Sequence, residues 1–189
     1  MIRKVDFDKA ISVYNEKIIN DFPEEEIPPL VVFEKCIKQG IFECFIFEND
    51  EEELGYIVTR KVDDLVFVMV LAVDKNQRGK GYGKRFLNEF KDVSKGNKII
   101  LLEAENPEVD GLSEEEKISR RKRIKFYEDL DFKITENLKY ILVGVDYKIL
   151  YYNLENDDIV EPEEIKNHME KIYNNVLRDR SFLKMEITK

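Results

Sequence analysis

The stretch that decides the fold is an apolar run followed by a short turn rich in glycine. The run reads Leu65-Val66-Phe67-Val68-Met69-Val70-Leu71-Ala72-Val73, and the turn reads Arg78-Gly79-Lys80-Gly81-Tyr82-Gly83. The run predicts a buried strand, and the amphipathic segment 84–90 after the turn predicts a helix. Glycines allow a tight turn without a Cβ in the way of a ligand, and the amides at a helix N-terminus attract phosphate. The sequence therefore predicts a phosphate-binding turn between a strand and a helix.

The spacing of the glycines argues against two common phosphate loops. A Walker loop needs four residues between its glycines and a Ser or Thr after its lysine, and neither condition is met here. A Rossmann turn needs two residues before its last glycine, whereas Tyr82 alone separates Gly81 from Gly83. The spacing that does fit is Arg-x-x-Gly-x-Gly, from Arg78 to Gly83. A glycine-rich surface turn without a ligand is the alternative that these residues leave open.

The segment 73–83 resembles the acetyl-CoA loop of the GNAT family of N-acetyltransferases. A second segment, Ile124-Lys125-Phe126-Tyr127-Glu128-Asp129-Leu130-Asp131-Phe132, is similar to the Phe-Tyr-x-x-x-Gly-Phe signature of that family, with Asp131 in place of the glycine. Aspartate tolerates a positive φ better than most residues, so we expect the turn to be kept. The resemblance covers about residues 1–153. It implies an α/β fold of the α+β type, with a central, mixed, mostly antiparallel sheet flanked by helices on both faces.

The same resemblance implies that acetyl-CoA is the co-substrate and that no metal takes part. It assigns two groups of residues to the cofactor, the end of the strand and the glycine turn: Leu71, Ala72, Val73, Arg78, Gly79, Lys80, Gly81, Tyr82, Gly83 and Lys84. The first three are expected to pair along the pantetheine arm through their backbone. They would be buried strand residues at the same time.

Two residues are candidates for catalysis. The family resemblance makes Tyr127 the candidate general acid at the departing thiolate, although a core aromatic like Phe126 is the alternative. The apolar strand predicted at 98–105 ends in Glu103 and Glu105, which its alternation places on one face. A carboxylate in such a position can accept a proton from an amine, and Glu103 is preferred because it lies deeper in the strand. A solvated strand end is the alternative.

Composition limits the partners and the compartment. The 189 residues carry a formal charge of −9, which argues against nucleic acid and weakly favours a cationic acceptor. No apolar stretch reaches the roughly 20 residues of a membrane span, and the N-terminal residues Met1-Ile2-Arg3-Lys4-Val5-Asp6 show no apolar signal core. Cys36 and Cys44 lack CxxC spacing and are expected to be reduced thiols of a cytoplasmic protein. His168 lies in a charged segment and is expected at the surface.

We expect one N-acetyltransferase-like domain over residues 1–189, in which 155–189 forms a C-terminal helical extension. The extension carries an apolar stripe that packs on the domain or forms a homodimer contact. Periodicity and capping signals predict helices at 6–20, 29–39, 83–95, 113–129 and 162–180, and strands at 42–47, 54–60, 65–73, 98–105, 132–135, 140–145 and 148–153.

These features predict an acetyl-CoA-dependent N-acetyltransferase that acetylates a primary amine of an acceptor that the sequence does not identify, with a cationic acceptor favoured. The alternative from another class is a non-catalytic acyl-CoA-binding regulatory module. The presence of both Tyr127 and the Glu103–Glu105 pair favours the enzyme. The length of the acyl chain stays open.

Overall fold

The protein is described by a computed structural model over residues 1–173 and 183–188. The chain divides into two compact units, one of residues 1–63 and 68–93 and the other of residues 64–67 and 94–189. One long strand, Leu65–Val73, contributes residues to both units. A single domain over residues 1–189 stays a prediction.

The first unit contains a run of four strands and the helices that connect them. In chain order these are β1 Ile2–Lys4, α1 Phe7–Val13, a π-helical turn Tyr14–Ile18, α2 Ile19–Asp21, a 3-10 turn Glu24–Glu26, α3 Leu30–Lys38, β2 Phe42–Glu48, β3 Glu53–Val62, β4 Leu65–Val73, a 3-10 turn Lys75–Gln77 and α4 Tyr82–Val93. The strand order is β1-β2-β3-β4, and the first two pairs are antiparallel. The sequence did not predict β1, because three residues are too short to show a strand period.

The core of the first unit lies between its N-terminal helices and the strands. Asp6 caps α1 by accepting a hydrogen bond from the amide of Lys9 at 2.9 Å, and this fixes where the helix begins. The rings of Tyr14 and Phe33 pack 4.8 Å apart. Fully buried apolar residues from the helices and from β2 and β3 surround them: Ala10, Val13, Ile18, Ile46 and Val58.

Both cysteines belong to this unit and are free thiols, as predicted. Cys44 is buried in β2, and burial raises the pKa of its thiol to about 12. Cys36 is partly buried in α3, and burial also raises its pKa. Both thiols are therefore protonated and unreactive at neutral pH.

Within its described residues, the second unit contains five further strands and two helices. In chain order these are β5 Ile99–Glu105, α5 Glu114–Glu128, β6 Lys133–Ile134, β7 Leu138–Leu142, β8 Val145–Asn153, α6 Pro162–Tyr173 and β9 Leu183–Ile187. The order is β5-β8-β7-β9, with β6 beside β8, and each of these pairs is antiparallel. The predicted mixed α/β class with a mostly antiparallel sheet is confirmed.

Two features of this unit differ from the sequence expectation. The turn between β7 and β8 falls at Val143 and Gly144, whose φ angles of 50° and 84° are both positive, as a two-residue type I′ hairpin requires. The sequence predicted the break at residues 146 and 147, between strands at 140–145 and 148–153. Valine is an unusual turn residue, so the local sequence signal for the observed turn is weak. Strand β9 was not predicted. Helix α6 agrees with prediction up to Tyr173, and the remainder of the predicted helix lies outside the described residues.

The start and the end of α5 follow local signals in the sequence. Ser113 and Glu116 form the predicted capping box, with a hydrogen bond in each direction. At the other end, Asp131 has φ 61°, so the aspartate does take the left-handed conformation expected of the family glycine. The carbonyl of Tyr127 accepts hydrogen bonds from the amides of Leu130 and Phe132, at 2.9 and 3.1 Å. These bonds turn the chain sharply into the next strand.

The predicted surface position of His168 is wrong. The residue is 8% exposed on α6, where Ile165, Met169 and Ile172 are also buried. Burial lowers the pKa of the imidazole, although Glu164 lies 3.4 Å from its Nε2 and opposes the shift.

Among residues 1–173 and 183–188, no helix combines the length and the apolar character needed to cross a membrane.

Candidate functional site

The glycine turn joins β4 to α4 in the order that the sequence predicted. The 3-10 turn Lys75–Gln77 follows β4, and α4 begins at Tyr82. The amide of Arg85 bonds back to the carbonyl of Gly81 at 3.2 Å, and this is the first backbone bond of the helix. By helix geometry, the amides before it have no acceptor within the helix and carry the positive end of its dipole. The turn thus offers a row of donors for an anion.

Two glycines give the turn its shape. Gly79 has φ 77° and Gly81 has φ 82°, a region in which side chains are strained. A Cβ placed on either residue would meet no heavy atom within 4 Å. Glycine is therefore required here by the backbone conformation, and the space above both residues is open. Such a surface admits a ligand close to the backbone.

Side chains around the turn hold it in place. The Nε of Arg78 donates to the carbonyl of Val73 at 3.1 Å, which ties the turn to the end of β4. Gln77 donates to Glu52 at 2.6 Å and accepts from the Nζ of Lys80 at 2.7 Å. The turn is thus braced by the neighbouring β2–β3 connection. Lys80 brings a positive charge to it, and Lys84 adds another from the first turn of α4.

A glycine in β3 allows the strand to pass close to the end of β4. An ideal Cβ on Gly55 would lie 2.5 Å from the carbonyl oxygen of Ala72 and 3.3 Å from the Cα of Val73. Phe86 of α4 lies 3.4 Å from the same point. Any side chain at this position would displace the backbone of residues 72 and 73. The sequence offered no signal for this contact, because it depends on the pairing of two strands.

Glu103 lies on β5 in the second unit, where its side chain is partly buried. Tyr140 and Tyr173 both donate hydrogen bonds to its Oε1, the latter at 2.8 Å. Burial raises the pKa of Glu103 to about 7, although the two hydroxyl groups oppose the shift. No residue in the described part of the chain donates to Oε2. A half-ionised carboxylate with one unengaged oxygen is suited to accept a proton near neutral pH.

Glu105, the alternative base, has a different environment. Its carboxylate contacts Arg120 at 2.6 Å and Arg123 at 3.2 Å, both on α5. The two guanidinium groups occupy both oxygens of the carboxylate. Glu105 is therefore a structural ion-pair residue in this arrangement, and Glu103 is the better candidate base.

Tyr127 is buried near the end of α5. Its ring packs edge-on against Phe126 and Phe132, with centroids 5.2 and 5.9 Å apart. Burial raises the pKa of its phenol, so the hydroxyl keeps its proton at neutral pH. The part of the chain that the structure describes offers this hydroxyl no hydrogen-bond partner. The ring contacts are those expected of a core aromatic. The hydroxyl, which has no partner among the described residues, has the property expected of a proton donor to a bound ligand.

The predicted residues thus fall into two groups. The cofactor residues, from Leu71 to Lys84, lie in the first unit, whereas Glu103 and Tyr127 lie in the second. The sequence analysis missed Tyr140 and Tyr173, the two partners of Glu103. A signal for Tyr173 was present, because a tyrosine within an apolar helical stripe carries a hydroxyl that needs a buried acceptor.

No cluster of three or more potential metal ligands occurs among residues 1–173 and 183–188.

A model of the acetyltransferase (GNAT) domain matches residues 40–134, half of the chain. The chain belongs to the GNAT family of acetyltransferases. The match includes the glycine turn, Glu103 and Tyr127, and it ends before Tyr140.

Relatives and solved structures agree with this family. The Bacillus subtilis (strain 168) protein named "Putative acetyltransferase YjbC" is 29% identical over 167 residues, which cover 85% of this chain and 79% of that protein. A GNAT-family structure from Bacteroides thetaiotaomicron is similar with a TM-score of 0.76 at 20% identity, over 93% of this chain and 97% of the other. Arabidopsis thaliana NAA60, solved with acetyl-CoA, has a TM-score of 0.59 at 14% identity, over 82% of this chain and 99% of the other. The two structures share the GNAT fold with this chain.

Proposed function

We propose that this GNAT acetyltransferase uses acetyl-CoA to acetylate a primary amine of an acceptor that arrives as a cation. The observation that carries the proposal is the turn between β4 and α4. Gly79 and Gly81 have positive φ and open space above them, and α4 begins directly after them, at Tyr82. A ligand that binds at the N-terminus of a helix and approaches the backbone closely makes use of both features.

The pyrophosphate of acetyl-CoA fits this turn by charge and by shape. The first amide groups of a helix have no hydrogen-bond acceptor within the helix, so they can donate to phosphate oxygens. Lys80 and Lys84 add positive charge to a chain that is otherwise acidic. The backbone of Leu71, Ala72 and Val73 is the proposed partner of the pantetheine arm. The NAA60 complex supports this choice of cofactor by analogy of fold.

Acetyl-CoA supplies an acetyl group activated as a thioester. The protein has to remove a proton from the acceptor ammonium and deliver a proton to the departing sulfur. A primary amine with a pKa near 10.4 is mostly an ammonium ion at pH 7 and cannot attack in that form. In this proposal, Glu103 accepts the proton of the ammonium through Oε2, which frees the lone pair of the nitrogen. Tyr127 donates its phenolic proton to the sulfur as the C–S bond breaks, and the second proton of the attacking nitrogen then passes to the phenolate as the amide forms.

The acidic balance of the chain supports a cationic acceptor. The formal charge is −9, and the exposed turn at Glu24 and Glu26 adds local negative charge to the first unit. Negative surfaces raise the local concentration of cations and speed their association.

A thiol-release assay tests the proposal directly. The purified chain is mixed with acetyl-CoA and a panel of primary amines, including polyamines, amino acids and peptide N-termini, and free CoA is followed with a thiol reagent. We expect release that depends on one class of amine. Acetyl-CoA binding by calorimetry without release with any amine would favour the alternative, a regulatory acyl-CoA-binding module. Absence of binding would overturn both.

A further inference from the structure

The carboxylate of Glu103 is held by two residues that lie outside the part of the chain matched by the family model. Tyr140 is on β7 and Tyr173 is at the end of α6, whereas the match ends at residue 134. Both hydroxyl groups donate to the same oxygen, Oε1. Three elements that are distant in the sequence therefore converge on one carboxylate.

We infer that Tyr140 and Tyr173 are positioning residues that fix the orientation of Glu103 and set its ionisation, so that α6 of the C-terminal extension is a working part of the acetyltransferase. The inference rests on the proposed function where it treats Glu103 as the base. The hydrogen bonds themselves do not depend on that role.

Both tyrosine hydroxyl groups donate to the same oxygen of Glu103, and this determines which carboxylate oxygen is left to accept a proton. Two donors on Oε1 fix the plane of the carboxylate and leave Oε2 without a donor from the described residues. A proton from an acceptor would therefore be delivered to one defined atom. Fixed orientation of the base lowers the entropic cost of reaching the reactive geometry.

The charge of the hydrogen-bond partners also affects how readily a carboxylate accepts a proton. A phenol is a neutral donor, so it stabilises the carboxylate without cancelling its charge. Glu105 shows the contrast within the same strand, because Arg120 and Arg123 pair with it as full positive charges. Both oxygens of Glu105 are engaged by arginines, whereas Glu103, held by phenols, has a pKa that burial raises to about 7.

The surroundings keep both phenols protonated and in place. Burial, together with the charge of Glu103, raises the pKa of both Tyr140 and Tyr173 well above the ordinary value. Phe67 packs edge-on against Tyr173 at 6.0 Å, and Tyr147 packs against Tyr140 at 6.2 Å. On β8, the apolar Ile149 is the residue opposite Glu103. The two hydroxyl groups are therefore donors throughout the working pH range.

Replacement of each hydroxyl, with the ring kept, tests the inference. In Tyr140→Phe and Tyr173→Phe, the pKa of Glu103 should rise, since the lost bond favoured the charged form. Carbon-13 NMR of glutamate labelled at the carboxyl carbon gives that pKa, and Glu103→Gln identifies the signal by its loss. We expect each single variant to raise the midpoint by about half a unit to one unit. Tyr151→Phe is the matched control, because its hydroxyl is also buried in this unit and accepts from the amide of Val160 at 3.2 Å.

The rate profile supplies the second readout. The acid limb of kcat/KM against pH should move up by the same amount, so a shift of about one unit lowers the rate at pH 7 roughly fivefold and leaves it nearly unchanged at pH 9. A purely structural role would lower the rate equally at every pH. Folded variants with the wild-type carbon-13 midpoint would overturn the inference. A shifted midpoint with an unshifted rate profile would overturn the role of Glu103 as the base, and the proposed mechanism with it.

Discussion

The glycine turn of the first unit and the carboxylate of the second unit are built from different parts of the chain. The turn depends on backbone conformation, and its residues are consecutive, from Arg78 to Lys84. The carboxylate depends on side chains from β5, β7 and α6, which are separated by 37 and 70 residues from Glu103. A backbone site is encoded locally, whereas a side-chain site of this kind exists only after the sheet and the last helix have packed.

The largest expected effect is at the side-chain site. Glu103→Gln keeps the shape and the ability to accept the tyrosine hydrogen bonds, but it cannot take a proton. We expect kcat/KM at pH 7 to fall about a thousandfold, within the usual range for loss of a general base. The loss should shrink toward pH 10, where the free amine is abundant. A pH series of thiol release with the active amine measures both effects.

Glu105→Gln makes the same chemical change two residues further along the strand. Because Glu105 is engaged by Arg120 and Arg123, we expect a much smaller loss than for Glu103→Gln. The reverse order of the two variants would identify Glu105 as the base. Wild-type behaviour of Glu103→Gln at every pH would remove the base from the mechanism, and an acceptor amine of low intrinsic pKa would then be the better explanation.

Tyr127→Phe comes second. The ring contacts with Phe126 and Phe132 are kept, and only a hydroxyl without a partner among the described residues is lost. We expect kcat to fall about a hundredfold, while the Kd for acetyl-CoA, measured by calorimetry, stays close to that of the wild type. Turnover at the wild-type rate would show that Tyr127 is a core aromatic alone.

Local sequence signals account for most elements and for the glycine turn, but not for contacts between distant segments. Most helices, the strand Leu65–Val73 and the capping box of α5 were predictable, because hydrophobic periodicity and capping signals are local. The left-handed Asp131 was also predictable from the family signature. The partners of Glu103, the close approach at Gly55 and the short strand β1 were not. Each of these depends on strand pairing or helix packing between distant segments.

The third prediction tests the backbone site. In Gly81→Val, a branched side chain meets a φ of 82° and fills the open space above the turn. We expect the Kd for acetyl-CoA to rise about thirtyfold, equivalent to about 2 kcal/mol. Gly40→Val is the matched control in the same unit, since Gly40 has φ 67° and equally open surroundings at the end of α3. Equal Kd values for the two folded variants would argue against a cofactor role for the turn.

The smallest expected effect concerns stability rather than rate. Burial raises the pKa of Glu103 to about 7, compared with an ordinary value of 4.5 that the unfolded chain should show. Below pH 4.5 the carboxyl of Glu103 is protonated in both the folded and the unfolded state, so it does not lower the free energy of unfolding. Between pH 4.5 and 7 the unfolded chain releases a proton that the folded protein keeps, so stability falls as the pH rises. Above pH 7 the full cost of the buried charge is present.

Glu103→Gln removes this dependence, because an amide does not ionise. Relative to the wild type, the variant should therefore gain about 1–2 kcal/mol in free energy of unfolding between pH 5 and pH 8, less than the full pKa shift implies, since the side chain is only partly buried. Urea unfolding at several pH values measures this difference. The backbone site makes no such contribution, as Gly79 and Gly81 carry no titratable group. Parallel stability curves for variant and wild type would show that Glu103 has an ordinary pKa, and the carboxylate would then lack the property that suits it to act as a base near neutral pH.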